Sequence, residues 1–220
     1  MKLNRDYTFQ NYLISNDNKD AMEAISSAMT LPGQIYNPLF IYGAVGVGKT
    51  HLLQALAKEH APDLKTYYAT IEKFINNITQ AIQHHCYIDF IEHYLRFDIL
   101  LIDDIHLVKD KKSTLEEMLH LFERLYNARK QIIVSADRLP KQIFNAKDKV
   151  SKIFQKGLML KIAPPAYNDR LRFLQTKAQN IGALLSNGIF KDLASKTQSD
   201  FRELEGALAK TMFTSLVSLG

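Results

Sequence analysis

The sequence predicts an α/β protein, a three-layer sandwich in which helices cover both faces of a five-stranded parallel sheet, followed by a small all-helical domain. Five short apolar runs alternate with helix-like stretches, as expected for parallel strands joined by helices. Each run is apolar along its length rather than at alternate positions, which indicates strands covered on both faces. The runs lie at residues 39–42, 66–69, 99–102, 131–134 and 158–162.

The helical domain is predicted from the point where the strand pattern stops. After residues 163–165 the chain reads as helices broken at Gly182 and Gly188. We therefore place an α/β nucleotide-binding domain at residues 1–165 and a helical lid at residues 166–220. The last helix is predicted to begin at Asp200, whose carboxylate accepts from exposed backbone N–H groups.

The composition excludes some classes of protein and leaves others open. With 220 residues, 46% of them hydrophobic, the chain is long enough to bury a core. The single cysteine, Cys86, excludes an internal disulfide, and the sequence has no secretory start and no membrane-length apolar run, so a cytoplasmic location is expected. The excess of 28 Lys and Arg over 23 Asp and Glu is compatible with nucleic-acid contact and equally with solubility alone.

A phosphate-binding loop is predicted between the first strand and the next helix. Residues 43–50 fit G-x-x-x-x-G-K-[ST], and the strand and helix flanks are the context that this motif requires. Glycines let backbone N–H groups face phosphate oxygens, Lys49 reaches the outer phosphates and Thr50 binds Mg²⁺. The alternative is a glycine-rich turn with a solvated lysine. The loop residues predicted to bind nucleotide are Gly43, Ala44, Val45, Gly46, Val47, Gly48, Lys49 and Thr50.

Two adjacent carboxylates complete the predicted site. Asp103 and Asp104 follow the apolar run at 99–102, at the carboxyl end of a buried strand. We assign Asp103 to Mg²⁺, through water, and Asp104 to orienting or deprotonating the attacking water. The predicted cofactors are therefore ATP or ADP and Mg²⁺. The alternative is a polar strand end that caps the following helix.

The chain carrying these motifs resembles the AAA+ ATPase domain of DnaA, the bacterial replication initiator. The resemblance extends over essentially the whole chain. Its most specific part is Arg-Glu-Leu-Glu-Gly-Ala-Leu at residues 202–208, which related helicase loaders do not share. Residues 7–12 resemble the family's entry into its ATPase domain, where this segment borders the nucleotide base. The other matching segments are 37–43, 48–53, 72–74, 100–105, 137–140, 157–158 and 164–165.

The resemblance implies further site residues. Asp137 corresponds to the first sensor of the family, which monitors the terminal phosphate. Arg202 corresponds to the second sensor, a lid guanidinium that pairs with phosphate oxygens. The alternative for Arg202 is a surface arginine paired with a glutamate of its own helix. His51 lies in the matched segment after the loop and is counted with the nucleotide-binding residues. The predicted catalytic residues are Asp104, Lys49 and Asp137.

Single-stranded DNA is a further partner that the resemblance implies. Residues 71–96 read as a helical pair, which in the family forms an insertion that touches single-stranded DNA. Lys109, Lys111 and Lys112 follow the carboxylates, where the family also keeps basic residues. The alternative for this run is a solvated lysine loop.

The chain departs from the family pattern at two points. Where DnaA proteins carry an arginine finger that reaches the ATP of a neighbouring subunit, this chain has Ile153, and the adjacent Lys152 lacks the planar fork of arginine. Slow or no ATP hydrolysis is therefore expected. The 220 residues also leave no room for the initiator's separate amino-terminal and duplex-reading domains, so sequence-specific duplex binding is not expected and the lid is expected to be incomplete.

Three functions remain open at this point. The first is a DnaA-type nucleotide switch that acts in the initiation of chromosomal replication by assembling with itself or with a full-length initiator. The second is a non-hydrolysing regulatory adaptor of the initiator. The third is an ATPase that resembles helicase loaders.

Overall fold

The computed structural model describes residues 3–58, 64–108, 112–144, 149–183, 185–197 and 200–217. The strands are β1 (Leu39–Tyr42), β2 (Thr66–Thr70), β3 (Ile99–Asp103), β4 (Gln131–Ala136) and β5 (Leu158–Lys161). The helices are α1 (Lys19–Thr30), α2 (Lys49–Lys58), α3 (Ile71–Gln83), α4 (Tyr87–Leu95), α5 (Lys112–Asn127), α6 (Pro140–Ile143), α7 (Lys149–Gln155), α8 (Tyr167–Asn180), α9 (Asn187–Lys196) and α10 (Phe201–Val217).

The five strands form one sheet in the order β2-β3-β4-β1-β5, and every neighbouring pair is parallel. The predicted α/β architecture is therefore confirmed. Because all strands run the same way, the carboxyl ends of β1, β3 and β4 meet at one edge of the sheet. The expectation of two covered faces is wrong for β5, an edge strand that exposes alternate side chains such as Met159.

Side chains from β1, β2, β3 and β4 enter two buried cores, one on either face of the sheet, whereas β5 contributes to one of them. Phe40 of β1 packs with Phe74, Phe122 and Phe154 from the helices of one face. Its neighbours in β1, which point the opposite way, pack on the other face with Ile25 of α1 and with the apolar side of α2. The helical pair predicted at 71–96 is present as α3 and α4.

Helices α8, α9 and α10 share a third core, which includes Leu174, Phe190 and Leu204. The predicted break at Gly182 is confirmed, since this residue has a φ of +69° and follows the end of α8. The predicted break at Gly188 is wrong, because Gly188 lies in the first turn of α9. No helix of the described residues is long and apolar enough to cross a membrane.

The strand that precedes the phosphate loop is anchored at its start. The Asn37 side chain accepts from the Ile132 N–H and donates to the Lys130 carbonyl, both at 2.9 Å. A Cβ at Gly157 would lie 1.7 Å from the Pro38 carbonyl oxygen, so only glycine fits there. These contacts fix β1 between β4 and β5, and with it the position of the loop.

Candidate nucleotide-binding site

The loop between β1 and α2 has the backbone that the motif requires. Gly46 and Gly48 have φ values of +77° and +100°, a conformation that L side chains rarely adopt. Lys49, the first residue of α2, is 6% exposed, and its Nζ donates to the carbonyls of Gly43 and Ala44 at 2.8 Å. Burial lowers the pKa of Lys49, while the carboxylates of Asp104 and its neighbours act in the opposite direction. The lysine is thus held inside the curve of the loop.

Asp103 ends β3 and is buried, with each of its oxygens accepting from a protein hydroxyl. Tyr68 of β2 donates to Oδ2 at 2.9 Å, and Ser135 of β4 donates to Oδ1. Burial, followed by the charge of Asp103, raises the pKa of Tyr68, so the phenol stays protonated as a donor. Asp103 is therefore held from both neighbouring strands.

Asp104 leaves the strand in a left-handed conformation with a φ of +56°, and its N–H donates to Ser135 Oγ at 2.9 Å. Burial, followed by the charge of Asp103, raises the pKa of Asp104. His106 Nδ1 lies 3.9 Å from Asp104 Oδ1 and 3.8 Å from Asp137 Oδ1. A carboxylate with a raised pKa is better suited to accept a proton than an ordinary one.

Asp137 directly follows β4 and forms a two-bond ion pair with the exposed Arg138, both bonds at 2.7 Å. This pairing lowers the pKa of Asp137. The Asp137 N–H also donates to His106 Nδ1 at 3.3 Å. The His106 ring thus lies between Asp104 and Asp137, with its Nδ1 within 4 Å of a carboxylate oxygen of each.

The start of α10 lies directly against the phosphate loop. The Phe201 N–H donates to the Gly46 carbonyl at 3.2 Å, and a Cβ at Gly46 would lie 1.8 Å from Asp200 Oδ1. The Asp200 carboxylate accepts from the Arg202 N–H at 2.7 Å, which confirms the predicted start of this helix. The next side chain after Phe201, Arg202, is exposed and faces the same cleft as Lys49.

The segment before α1 closes another side of the site. The His51 ring stacks on Tyr7 with centroids 4.7 Å apart, and its Nε2 lies 2.8 Å from the Thr8 carbonyl oxygen. Burial lowers the pKa of His51. Tyr12 packs edge-on against the same ring, and its buried hydroxyl has no hydrogen-bond partner among the described residues. Burial raises the pKa of Tyr12 to about 12.

These elements enclose a cleft of about 870 Å³. It is lined by most of the residues predicted to bind nucleotide, namely Val45, Gly46, Gly48, Lys49, Thr50, His51 and Arg202, together with Asp104. The remaining predicted residues do not line it, namely Gly43, Ala44, Val47, Asp103 and Asp137. Gly43 and Ala44 reach the site through their carbonyls, which hold Lys49.

Four polar residues of the site were not predicted from the sequence: Gln54, Tyr68, His106 and Ser135. Ser135 did carry a signal, because a hydroxyl in a fully buried strand needs a partner. Gln54 is likewise a polar residue on the buried side of α2. The sequence does not identify the hydrogen-bond partners of these two side chains, because the partners lie on other strands. Ser135 bonds with Asp103 of β3, and Gln54 bonds with Tyr68 of β2.

Two predictions concern residues other than those of the cleft: the residues at the arginine-finger position and the lysines that follow the two carboxylates. Ile153 is 4% exposed and packs in the core beside Phe154, whereas Lys152 is exposed. Lys109 and Lys111 lie outside the described residues, as does the side chain of Lys112.

Comparison with known proteins gives a consistent result. The family profile of the bacterial DnaA ATPase domain matches residues 3–161. A chromosomal replication initiator protein DnaA from Thermoanaerobacter sp. (strain X514) is 40% identical over 211 residues, which is 94% of this chain and 48% of the relative. Domain III of Thermotoga maritima DnaA is 34% identical with a TM-score of 0.87, over 99% of this chain and 92% of that one.

A further solved structure is that of a replication initiator DnaA bound to AMPPCP and single-stranded DNA. It is 31% identical to this chain with a TM-score of 0.84, over 95% of this chain and 65% of the other. The chain spans about half the length of the curated relatives that it matches. Family profile, sequence identity and fold agree, and the chain therefore belongs to the family of bacterial DnaA ATPase domains.

Proposed function

We propose that this chain is an ATP-binding nucleotide switch of the DnaA type. It acts in the initiation of chromosomal replication, or in its regulation, by assembling in a nucleotide-dependent way with itself or with a full-length initiator. Its own ATP hydrolysis is slow or absent. In this proposal residues 1–165 bind the nucleotide and residues 166–220 form a lid over it.

One observation carries the proposal: the start of α10 and the phosphate loop are hydrogen-bonded to each other on one wall of the cleft. The bond joins the Phe201 N–H to the Gly46 carbonyl, and Arg202 and Lys49 both line the space beside it. A ligand that contacts both cations bridges the two parts of the chain. Binding and release of such a ligand would therefore change how the helical part sits on the sheet.

The residues present fit an adenine nucleotide. Lys49 and the backbone of the loop offer cationic and N–H donors for phosphates, and Arg202 adds a second cation. Tyr12 lines the same cleft, and its buried hydroxyl has no partner among the described residues. The related initiator that was solved with AMPPCP supports the same choice of ligand.

The residues also fit Mg²⁺ bound together with a nucleotide. Thr50 offers a hydroxyl and Asp103 a carboxylate, the hard oxygen donors that Mg²⁺ prefers. In the part of the chain that the structure describes, no group of three or more His, Cys, Asp or Glu side chains is arranged to hold a metal. The ion would therefore depend on phosphate oxygens as well, and when bound it neutralises phosphate charge.

Slow hydrolysis is proposed from the contrast between Asp104 and Ile153. The raised pKa of Asp104 and the neighbouring His106 suit the activation of water within one subunit. The position that would supply a cation to a neighbouring subunit carries a buried isoleucine instead. Since an arginine finger contributes about 10³–10⁵ in rate, its loss leaves binding intact and turnover slow.

A second candidate function is a regulatory adaptor of the initiator that needs nucleotide only to hold its fold. The isoleucine at position 153 counts against it, because such regulators keep the finger residue. Single-stranded DNA remains a proposed partner of either form, supported by the related initiator solved with that ligand. Mixing the chain with an initiator that has the finger separates the two candidates. A switch raises its ATP turnover in the mixture, whereas an adaptor does not.

The main test is titration of the purified chain with a fluorescent ATP analogue, with and without Mg²⁺. Lys49→Ala is expected to weaken binding by at least about 100-fold, since it removes charge-assisted bonds of roughly 3 kcal/mol. Lys191→Ala, which removes an exposed lysine of α9 away from the cleft, is the matched control and should bind as the unaltered chain does. Absence of binding by the unaltered chain would refute the proposal.

A further inference from the structure

A continuous set of hydrogen bonds, part-buried at Asn4 and buried beyond Gln54, runs from the amino-terminal segment to Asp103. The Asn4 N–H donates to Gln54 Oε1 at 2.8 Å, Gln54 Nε2 donates to the Tyr68 hydroxyl at 3.1 Å, and that hydroxyl donates to Asp103 Oδ2 at 2.9 Å. Gln54, Tyr68 and Asp103 are 6%, 9% and 1% exposed, so water does not compete for the two bonds that join them.

The direction of each bond in this set is fixed by chemistry. The Asn4 N–H can only donate, so it holds the oxygen of the Gln54 amide and turns the NH₂ group toward Tyr68. The phenol has one proton, and because it accepts from Gln54 that proton is free for Asp103. An ionised carboxylate accepts only, so Tyr68 must donate to it.

Asp103 is thereby held on both sides. Tyr68 occupies one position on Oδ2 and Ser135 one on Oδ1, whereas an ionised carboxylate has about four positions for donors. The two hydroxyls fix the rotation of the carboxylate and leave its other lone pairs for water or a metal. Partners of this kind orient a ligand and raise its affinity for a metal.

We propose that Gln54 and Tyr68 are positioning residues that hold Asp103 for Mg²⁺, so that metal-assisted nucleotide binding depends on the amino-terminal segment at Asn4. This inference rests on the proposed function, because it assumes that Asp103 serves a nucleotide-bound Mg²⁺. It adds two residues that touch neither nucleotide nor metal. It also links the segment beside His51 to the metal carboxylate through the interior of the molecule.

The chain offers a closely matched control on the same strand. Tyr67 precedes Tyr68 in β2 and points to the opposite face, where its hydroxyl bonds with Tyr94 and Asn77 at 3.2 Å. Tyr67→Phe and Tyr68→Phe each remove one partly or fully buried hydroxyl from neighbouring positions. Only the second removes a donor to Asp103.

The experiment is a Mg²⁺ titration at a fixed concentration of the fluorescent ATP analogue, repeated with the analogue alone in EDTA. Tyr68→Phe is expected to weaken the apparent Mg²⁺ affinity by about 10- to 100-fold, the usual effect of losing an outer partner of a metal ligand. Its affinity for the analogue in EDTA should stay within about twofold of the unaltered chain, as should both values for Tyr67→Phe.

A second variant tests the direction of the bonds and does not depend on the folding of the first. Gln54→Glu keeps an acceptor for Asn4 but replaces the NH₂ group by an oxygen that competes with Asp103 for the phenol proton. It is expected to weaken Mg²⁺ affinity about as much as Tyr68→Phe does. A purely space-filling role for Gln54 would leave the Mg²⁺ affinity unchanged.

The outcomes separate this inference from the proposed function. An unaltered chain that binds no analogue in either buffer overturns both. Mg²⁺-dependent binding that Tyr68→Phe and Gln54→Glu leave unchanged overturns the positioning role alone. Equal losses in EDTA and in Mg²⁺ also overturn it, because they would mean that the two residues support the fold of the site and not the metal carboxylate.

Discussion

The carboxyl edge of the sheet was predicted to hold ATP and the groups that act on it, whereas the short helix α7 was predicted to lack the arginine that acts on a neighbouring subunit. The two regions differ in the kind of side chain that they present. At the edge, Lys49, Asp104 and Arg202 line one cleft with their charged groups. On α7, Ile153 is 4% exposed and turned into the core. In the proposed function, the first region supplies the groups that act within a subunit, and the second lacks the group that would act on a neighbour.

If the cleft binds nucleotide as proposed, this difference teaches that a chain can lose the cation for its neighbour's ATP and still keep its own nucleotide site. The cleft is built from the loop after β1, the end of β3 and the start of α10, and none of the described side chains of α7 lines it. Replacing an arginine by an apolar residue on α7 therefore leaves the cleft intact and adds to the core. We expect a subunit that receives contacts from a neighbour and gives poor ones in return.

The largest expected effect comes from placing an arginine on α7, so that both regions carry charged side chains. Ile153→Arg places a guanidinium among apolar core residues such as Phe154. Burying an unpaired charge should lower the free energy of unfolding by about 3 kcal/mol or more. Thermal melting followed by circular dichroism should show a fall of roughly 6–12 °C, at about 2–4 °C per kcal/mol.

Lys152→Arg is the control for that substitution, because its side chain is exposed and adjacent on the same helix. It should leave the melting temperature unchanged within about 1 °C, as most surface substitutions do. An Ile153→Arg variant that melted like the unaltered chain and hydrolysed ATP by self-stimulation would contradict the burial of this position. Position 153 would then be open to solvent in the active protein.

A smaller effect is expected from the lid side of the cleft. Arg202→Ala should weaken binding of an ATP analogue by about 10-fold and binding of ADP less, because it removes a cation for the outer phosphates. Competition titrations of the two nucleotides measure this ratio. Arg124→Ala, on the exposed side of α5, should change neither affinity. Equal losses for ATP and ADP would show that Arg202 does not distinguish the terminal phosphate.

The smallest effect concerns the protonation of Asp104. Its pKa in the folded chain is raised above 3.8, chiefly by burial, so the ionised form lowers stability as pH rises through that pKa. Asp104→Asn should therefore melt higher than the unaltered chain at pH 7, and the difference should shrink as the pH falls toward 4. Because 34% of the side chain is exposed, solvent screening limits the gain to about 1 kcal/mol, or roughly 2–4 °C.

A difference for Asp104→Asn that is constant with pH would contradict the burial of this carboxylate. ATP turnover by the same variant gives a second readout, since loss of turnover with binding retained agrees with a role for Asp104 in activating water.

Much of the candidate site was predictable because it lies in short segments with local rules. The phosphate loop, Asp103 and Asp104 each follow an apolar strand, and these residue types at the end of a strand form a specific pattern. The start of α10 at Asp200 was predictable for the same reason, because capping is local. Gly188 was misassigned as a break because glycine near a helix start is as compatible with the first turn as with a loop.

By itself the sequence determined the five strands, the helices between most of them, the phosphate loop and the two carboxylates, because hydrophobic period and motif spacing are written along the chain. Only the tertiary structure decided the order β2-β3-β4-β1-β5, which sets Tyr68 and Ser135 on either side of Asp103. It also decided that Ile153 is buried. The physical reason is that pairing between strands and burial on a helix depend on packing between distant segments, whose partners no local pattern specifies.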